Sequence, residues 1–467
     1  MSRTDPTSLS GDPQADPSTP GATAPGQDRN HTTVQVDPRE VGKIARAAFV
    51  GTVLEWYDFF LFGTASALLF HYLFFSGTDD ATATLAVFAT FGVGFFARPF
   101  GAVIFGRIGD KLGRRPALIL SIVVIGVATG LIGLLPTYSS IGIWAPILLT
   151  VMRLGQGVAV GGEWGGATTM AIEHAPPEKR GRYAALIQIG SPVGTLLSSG
   201  VFALVLLLPE ETVDSWAWRI PFLLAFPFLG IALWIRLKVE ESPVFRALEE
   251  EAANSQQEQG SLKELFGSYH RQLLLAISAA LLGIGGFFVM TTYVMNYATA
   301  TLGMERQDVV NATLLAAVCQ IFINLIFGRI GERVGPGRII GWGGVATAAL
   351  SYPVWMMIDS GTVVLLTLAV CIGLSVVTIT YSVSGLLLSE LFPAQLRYTG
   401  IAIGSNVAGA ISGMLPFVAT WLNTSGDQPS AWPGMLILAV VALITAAGGF
   451  LGERHRVQDD LVLQEED

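Results

Sequence analysis

The chain has 467 residues, of which 51% are hydrophobic and only 13% charged, and its mean hydropathy is +0.56. A soluble protein carries roughly 25% charge, so this composition excludes one. The net charge of −9 comes largely from the tails and from one set of loops; it points to no nucleic-acid partner.

Residues 1–40 are rich in Pro, Thr, Asp, Gly and Ser and hold no apolar stretch. They are expected to form a disordered tail rather than a signal peptide. Apolar runs long enough to cross a bilayer then recur to residue 452, giving an all-α membrane protein. The expected spans are 44–72, 84–105, 117–136, 145–171, 183–208 and 218–238. After a charged, Gln-rich stretch they resume at 271–297, 309–328, 339–358, 363–388, 398–422 and 433–452. The expected organisation is a six-helix bundle over 41–238, a central loop over 239–270, a second bundle over 271–452 and an acidic tail over 453–467.

Basic residues set the orientation. Arg39, Lys43 and Arg46 precede the first span, and alternate loops carry further clusters, among them Arg107, Lys111, Arg114 and Arg115. Lys and Arg stay on the cytoplasmic side, so both termini are expected there. Arg306 and the boundary residue Arg219 are exceptions. The two cysteines, Cys319 and Cys371, fall within apolar runs and suggest packing, not a disulfide or a metal site.

The chain repeats itself. The loop "GRIGDKLGRRPALI" from Gly106 is echoed by "GRIGERVGPGRII" from Gly328. Glu173, Pro176 and Arg180 return as Glu390, Pro393 and Arg397 at one constant offset. Two pseudo-symmetric six-helix halves in parallel repeat follow. Gly106, Asp110, Arg114, Arg115, Glu173, Arg180, Glu390 and Arg397 are the candidates for gating, since charges at helix ends can clamp neighbouring helices together. Plain topology signalling is the alternative.

Together "LEWYDF", "ARPFGAVIFGRIGDKLGRR" and "RLGQGVAVGGEWGGA" resemble the major facilitator superfamily, and within it the metabolite:proton symporters. That family includes carriers for shikimate, α-ketoglutarate, citrate, and proline or betaine. The resemblance covers roughly residues 44–452 and implies a carrier of a small organic solute driven by the proton gradient, with no other cofactor. Two positions depart from the pattern: Thr52 stands where many members have Asn, and Pro336-Gly337 replaces a basic pair.

Charges inside the apolar spans carry the sharpest expectation. Glu55 and Asp58, one turn apart on the first span, Arg98 on the second, and Arg153 and Glu163 on the fourth each cost about 2.5–3.5 kcal/mol near the bilayer centre. They are tolerated if they pair and face a polar cavity. Asp58 is the expected proton carrier and Arg153 its partner: pairing favours the carboxylate, and separation in an apolar cavity favours the acid. An Asp on the first helix with an Arg on the fourth is also the pattern of sugar/proton carriers of the superfamily. Glu55, Arg98 and Glu163 would form a second cluster, either structural or a proton exit path; static ion pairing is the alternative for all. Arg98 can fork onto a substrate carboxylate, which favours an organic acid or zwitterion. Tyr57, Gln188, Tyr293, Asn296, Tyr381 and Asn406 are further substrate candidates, with interhelical hydrogen bonding as the alternative reading.

Rival functions fare worse. The five histidines are scattered and no hydrolase or metalloprotease motif occurs, so an enzyme is not expected. A proton-independent facilitator and an osmosensing compatible-solute carrier on the same fold remain open. The expected setting is a monomer in the cell membrane, with lipid, protons and a small solute as its partners.

Overall fold

Ionic and polar side chains interrupt each apolar run, and the helices follow those interruptions. The computed structural model describes residues 38–112, 114–161, 185–238, 262–426 and 429–456. The first helix, α1, runs Pro38–Ala65 and continues through a π-helical turn, Ser66–Phe70, into His71–Phe74. Next, α2 comprises Asp80–Phe96 and Arg98–Leu112, joined at Ala97. Asp79 starts it, accepting a hydrogen bond from the Thr82 amide at 3.0 Å, which satisfies an otherwise orphaned donor.

Then come α3 (Arg114–Ile132), α4 (Trp144–Val160), α5 (Ala185–Val205) and α6 (Ala217–Trp234, helical on to Lys238). The remaining long helices are α7 (His270–Thr301), α8 (Arg306–Val334), α9 (Pro336–Asp359), α10 (Val363–Glu390), α11 (Ala394–Gly413, continued as Leu415–Thr424) and α12 (Trp432–Arg454). A short helix, Leu262–Gly267, precedes α7, so the end of the expected central loop is helical. Nine helices among the described residues are long and apolar enough to cross a membrane; α4 and the apolar part of α3 are shorter.

Outward-facing side chains are apolar: Phe96, Phe100, Leu204, Trp234, Trp342 and Leu443 are all exposed. Such a surface is stable only in lipid. Inward, small residues bring helices close. A Cβ on Gly157 would lie 1.9 Å from the Gly94 carbonyl oxygen, and one on Gly161 would lie 1.9 Å from that of Arg98. So α2 and α4 touch backbone to backbone. Gly94 also leaves room for a side chain, since a Cβ there would sit 2.6 Å from Arg153 Nε.

Within the first six helices, α1 packs on α5 and α6, α3 on α4 and α6, and α2 on α4. Within the last six, α9 packs on α10 and α12, α8 on α10, and α7 on α11 and α12. The two sets meet where α5 faces α8, α2 faces α11 and α1 faces α7. Phe60 and Phe287 join α1 to α7 at 4.5 Å between ring centroids, and Phe95 and Phe288 join α2 to α7 at 4.9 Å. The long α7 contains three π-helical turns, Leu282–Gly286, Val289–Tyr293 and Tyr297–Thr301. Turns of this kind leave backbone carbonyls out of register and recur at functional sites.

Candidate functional site: buried charges between the helices

Glu55 and Asp58 are three residues apart and share one helix face. Both are buried, and each meets an arginine from a different helix. Arg98 Nη2 of α2 donates to Glu55 Oε1 at 3.0 Å. Its guanidinium lies over Phe59 at 4.4 Å and Phe95 at 4.9 Å. Burial between two rings and a carboxylate compensates the lost hydration of the cation. A Cβ on Gly409 of α11 would come within 3.4 Å of Arg98 Nη1, so this pair lies where the first six helices meet the last six.

The second pair is deeper. Arg153 of α4 is 0% exposed, and its Nη1 stands 3.7 Å from Asp58 Oδ2. Phe62 covers the guanidinium at 4.3 Å. The pair is not in direct hydrogen-bond contact, because Gln156 sits between. Arg153 Nη1 donates to Gln156 Oε1 at 3.1 Å, and Gln156 Nε2 donates to Asp58 Oδ1 at 2.7 Å and to Thr129 Oγ1 at 2.8 Å. Thr129 of α3 also hydrogen-bonds Asp58 Oδ1 and reaches its own Ile125 carbonyl at 2.8 Å. A threonine hydroxyl has a single hydrogen and two lone pairs. It donates to the Asp58 carboxylate in one state; when Asp58 is the acid, it accepts from Asp58 and donates to Ile125. Asp58 Oδ1 therefore keeps a hydrogen-bond partner in both protonation states with no movement of helices.

The sequence-predicted residues are distributed as follows. Asp58 and Arg153 stand opposite each other as expected, and of the expected cluster of Glu55, Arg98 and Glu163 the first two form an ion pair. Glu163, Glu173 and Arg180 lie outside the described residues. Gly106, Asp110, Arg114 and Arg115 fall in the helical ends of α2 and α3. Gln188 of α5 crosses to α10, donating to the Tyr381 carbonyl at 3.1 Å and facing Ser384 Oγ at 3.4 Å. Asn406 of α11 crosses to α4, donating to the Gly161 carbonyl at 3.2 Å. Tyr381 stands against Trp56, with ring centroids 5.9 Å apart.

Two expected substrate contacts point elsewhere. The Tyr57 hydroxyl donates to the Pro221 carbonyl at 2.6 Å and its ring meets Phe228 of α6 at 5.1 Å, so Tyr57 faces into the first six helices. Tyr293 packs on Trp355 of α9 at 5.6 Å, within the last six; Asn296 is buried nearby on the same helix. Glu390 and Arg397 make separate contacts. Glu390 pairs with Arg456 at 2.7 Å, and Arg397 Nε donates to the Ser389 carbonyl at 2.8 Å. Arg456 also bonds Glu453, whose other oxygen accepts from the Gly337 amide at 2.8 Å. A carboxylate thus caps the start of α9, where the basic pair of the first signature loop is missing.

Sequence reasoning passed over Trp56, Thr129 and Gln156. Trp56 Nε1 is buried without a hydrogen-bond partner, as are Gln188 Oε1, Tyr381 Oη and Arg98 Nε. Trp56, Gln188 and Tyr381 come from both sets of helices, with Trp56 and Gln188 beside the Tyr381 side chain and Tyr381 close to Glu55 and Arg98. On the face opposite the start of α1, Arg306, an exception to the expected sidedness, joins α8 to the segment before α6. It lies 3.4 Å from Asp214 and 3.6 Å from Glu210, over the ring of Tyr72, which itself bonds Asp214 at 2.7 Å. Cys319 and Cys371 are free and half-buried.

Comparison with known proteins agrees with this geometry. Residues 48–416 match the Major Facilitator Superfamily profile. An inner membrane metabolite transport protein of Escherichia coli, YhjE, is 34% identical over 90% of this chain and 97% of its own. The Escherichia coli shikimate transporter is 36% identical over 86% of this chain and 94% of its own. The proline/betaine transporter of Salmonella typhimurium is 32% identical over 88% and 83%. The crystal structure of a D-xylose-proton symporter superposes with a TM-score of 0.68 at 18% identity, covering 87% of this chain and 97% of that one; this likeness concerns the fold. The chain belongs to the major facilitator superfamily and is a multi-pass membrane transporter of metabolites, not an enzyme.

Proposed function

We propose that the chain is a proton-coupled symporter of a small organic acid or zwitterion, working by alternating access between two six-helix bundles. On this reading the membrane is crossed twelve times, with both termini in the cytoplasm. One observation carries the coupling: Asp58 and Arg153, fully enclosed, are held 3.7 Å apart with Gln156 and Thr129 bonded to the same carboxylate. A merely structural pair gains most from direct bidentate contact. Here the interposed amide keeps the carboxylate bonded whether or not the guanidinium withdraws, so Asp58 can change protonation state without losing its partners.

The solute binds at the Glu55–Arg98 level. A substrate carboxylate displaces Glu55 as the partner of Arg98, and Trp56 Nε1, Tyr381 Oη and Gln188 Oε1 supply further hydrogen bonds. Contacts from both bundles make the site complete only when the halves close on the solute, which couples occupancy to access. The Arg306–Asp214–Tyr72 cluster closes one face. Relatives described as shikimate and proline/betaine transporters support the solute class, and the xylose-proton symporter supports the coupling ion.

The test is uptake into proteoliposomes with an imposed pH gradient, using labelled shikimate, glycine betaine, proline and citrate. Accumulation of one of them above the external concentration, abolished by a protonophore, supports the reading. Equilibration that ignores the gradient supports a facilitator instead, and uptake switched on by osmotic shrinkage alone supports an osmosensing carrier.

A further inference from the structure

The solute site lies between the two sets of helices, but Asp58 is also reached from another direction. A cavity of about 40 Å3 lies wholly within the first six helices, bounded by α1, α3 and α6. Its walls include Glu55, Asp58 and Thr129 at one end and Gly51, Ile122 and Ala232 at the other. On α1 the lining descends from Asp58 to Gly51, on α3 from Thr129 to Ile122, and on α6 from Ala225 to Ala232. Each is a seven-residue step, about 10 Å of helix. Because α6 runs antiparallel to α1 and α3, all three steps lead the same way, toward the face where α1 begins. At the far end Ile122 and Ala232 are buried and Gly51 is half-buried, so the cavity opens there on the Gly51 side.

The volume exceeds the roughly 10–15 Å3 that one water needs and is far too small for an organic solute. Apart from the two carboxylates, Tyr57 and Thr129, the lining is hydrocarbon or glycine. Asp58 Oδ2 is buried and makes no hydrogen bond, which leaves a lone pair for a water to serve. The charged groups facing Asp58 are Arg153 from α4, Arg98 from α2 and Glu55 from α1; α3 and α6 present only Thr129 and apolar side chains to the cavity.

We infer that this cavity is the proton's route between Asp58 and the face where α1 begins, separate from the solute's path between the bundles. The inference rests on Asp58 being the proton carrier. The proton leaves the Asp58 carboxyl for a water in the cavity and passes on to bulk water; the carboxylate left behind is balanced by the Arg153 guanidinium. Two routes meeting at one switch let the proton depart while the bundles stay closed around the solute site.

The experiment needs no solute. Purified protein in detergent is subjected to a rapid pH jump and the carboxyl band of Asp58 is followed by time-resolved infrared spectroscopy, the band being assigned by its loss in Asp58→Asn. Ala232→Leu, which fills the cavity away from the charged pairs, is expected to slow protonation at least tenfold. Ala232→Cys, in a Cys319→Ser, Cys371→Ser background, is expected to keep the parental rate until labelled with a small methanethiosulfonate, and then to slow equally; it serves if the leucine variant does not fold. Protonation at the parental rate in the filled or labelled protein overturns the route alone, as does failure of every methanethiosulfonate to reach the thiol introduced by Ala232→Cys. A spectrum unchanged by Asp58→Asn overturns the route together with the carrier assignment beneath it.

Discussion

The first six helices and the last six share a plan but not a chemistry. Every buried charged side chain among the described residues, Glu55, Asp58, Arg98 and Arg153, lies on α1, α2 or α4. At comparable depth the last six helices offer neutral groups: Gln320 donates to Thr378 at 2.9 Å, Asn324 to the Gln320 carbonyl, and Asn406 to Gly161. The difference extends to the backbone, with one π-helical turn in α1 against three in α7. One half holds fixed charge in a rigid frame; the other supplies neutral contacts on a more adaptable helix. That division suits an ion switch on one side and a closing partner on the other.

If the charges matter as pairs, breaking one costs most. Arg153→Leu strands Asp58 without its counter-charge, and a broken buried pair costs about 3–5 kcal/mol. A large drop in thermal unfolding temperature at neutral pH is expected, with partial recovery in the double variant Arg153→Leu/Asp58→Leu. A double variant as unstable as the single one would show that packing, not charge, sets this region.

Gly157→Ala tests the frame that holds the pairs. Its added methyl meets the Gly94 carbonyl at 1.9 Å, and backbone cannot yield as a side chain does. Overpacking of this kind costs about 1–3 kcal/mol, and α4 should move away from α2, carrying Arg153 with it. Reduced stability together with impaired proton coupling is the expected outcome of unfolding and uptake measurements.

In the neutral half the effects should be small. Gln320→Leu removes one interhelical hydrogen bond, for which membrane proteins average about 0.6 kcal/mol and reach about 1.7. A loss near that of Arg153→Leu would erase the contrast between the halves. Smallest of all is Arg306→Gln at the opposite face, where exposed ion pairs contribute about 0–1 kcal/mol. Its stability change should vanish at high salt, while solute exchange shifts because that face is less firmly closed.

Much of the site could be read from residue spacing, and the failures have physical causes. Glu55 and Asp58 stand out because carboxylates in an apolar run need partners, and the two arginines were the natural ones. Tyr57 could not be placed from spacing alone; its hydroxyl donates to the Pro221 carbonyl within the first six helices. Trp56 was missed because an indole within an aromatic run reads as packing, and its N–H becomes conspicuous only when nothing accepts it. Gln156 had a signal in its spacing: three residues after Arg153, it lies on the same face. Thr129 had none, since one threonine in an apolar helix ordinarily bonds its own backbone. Helix ends were less legible: the second span was expected from 84 and the eighth to end at 328, whereas the helices start after Asp79 and end before Gly335, whose φ of 100° favours glycine. The extra π-helical turns of α7 left no trace in its composition.

The central claim is that Asp58 carries the proton, and Asp58→Asn tests it most directly. Asparagine keeps the size and can still bond Thr129 and Gln156, but it cannot exchange a proton. In proteoliposomes preloaded with unlabelled solute, the variant should retain exchange of label across the membrane, while accumulation driven by a pH gradient falls to the level of protein-free vesicles. Accumulation by the Asp58→Asn protein above the external solute concentration would contradict the account.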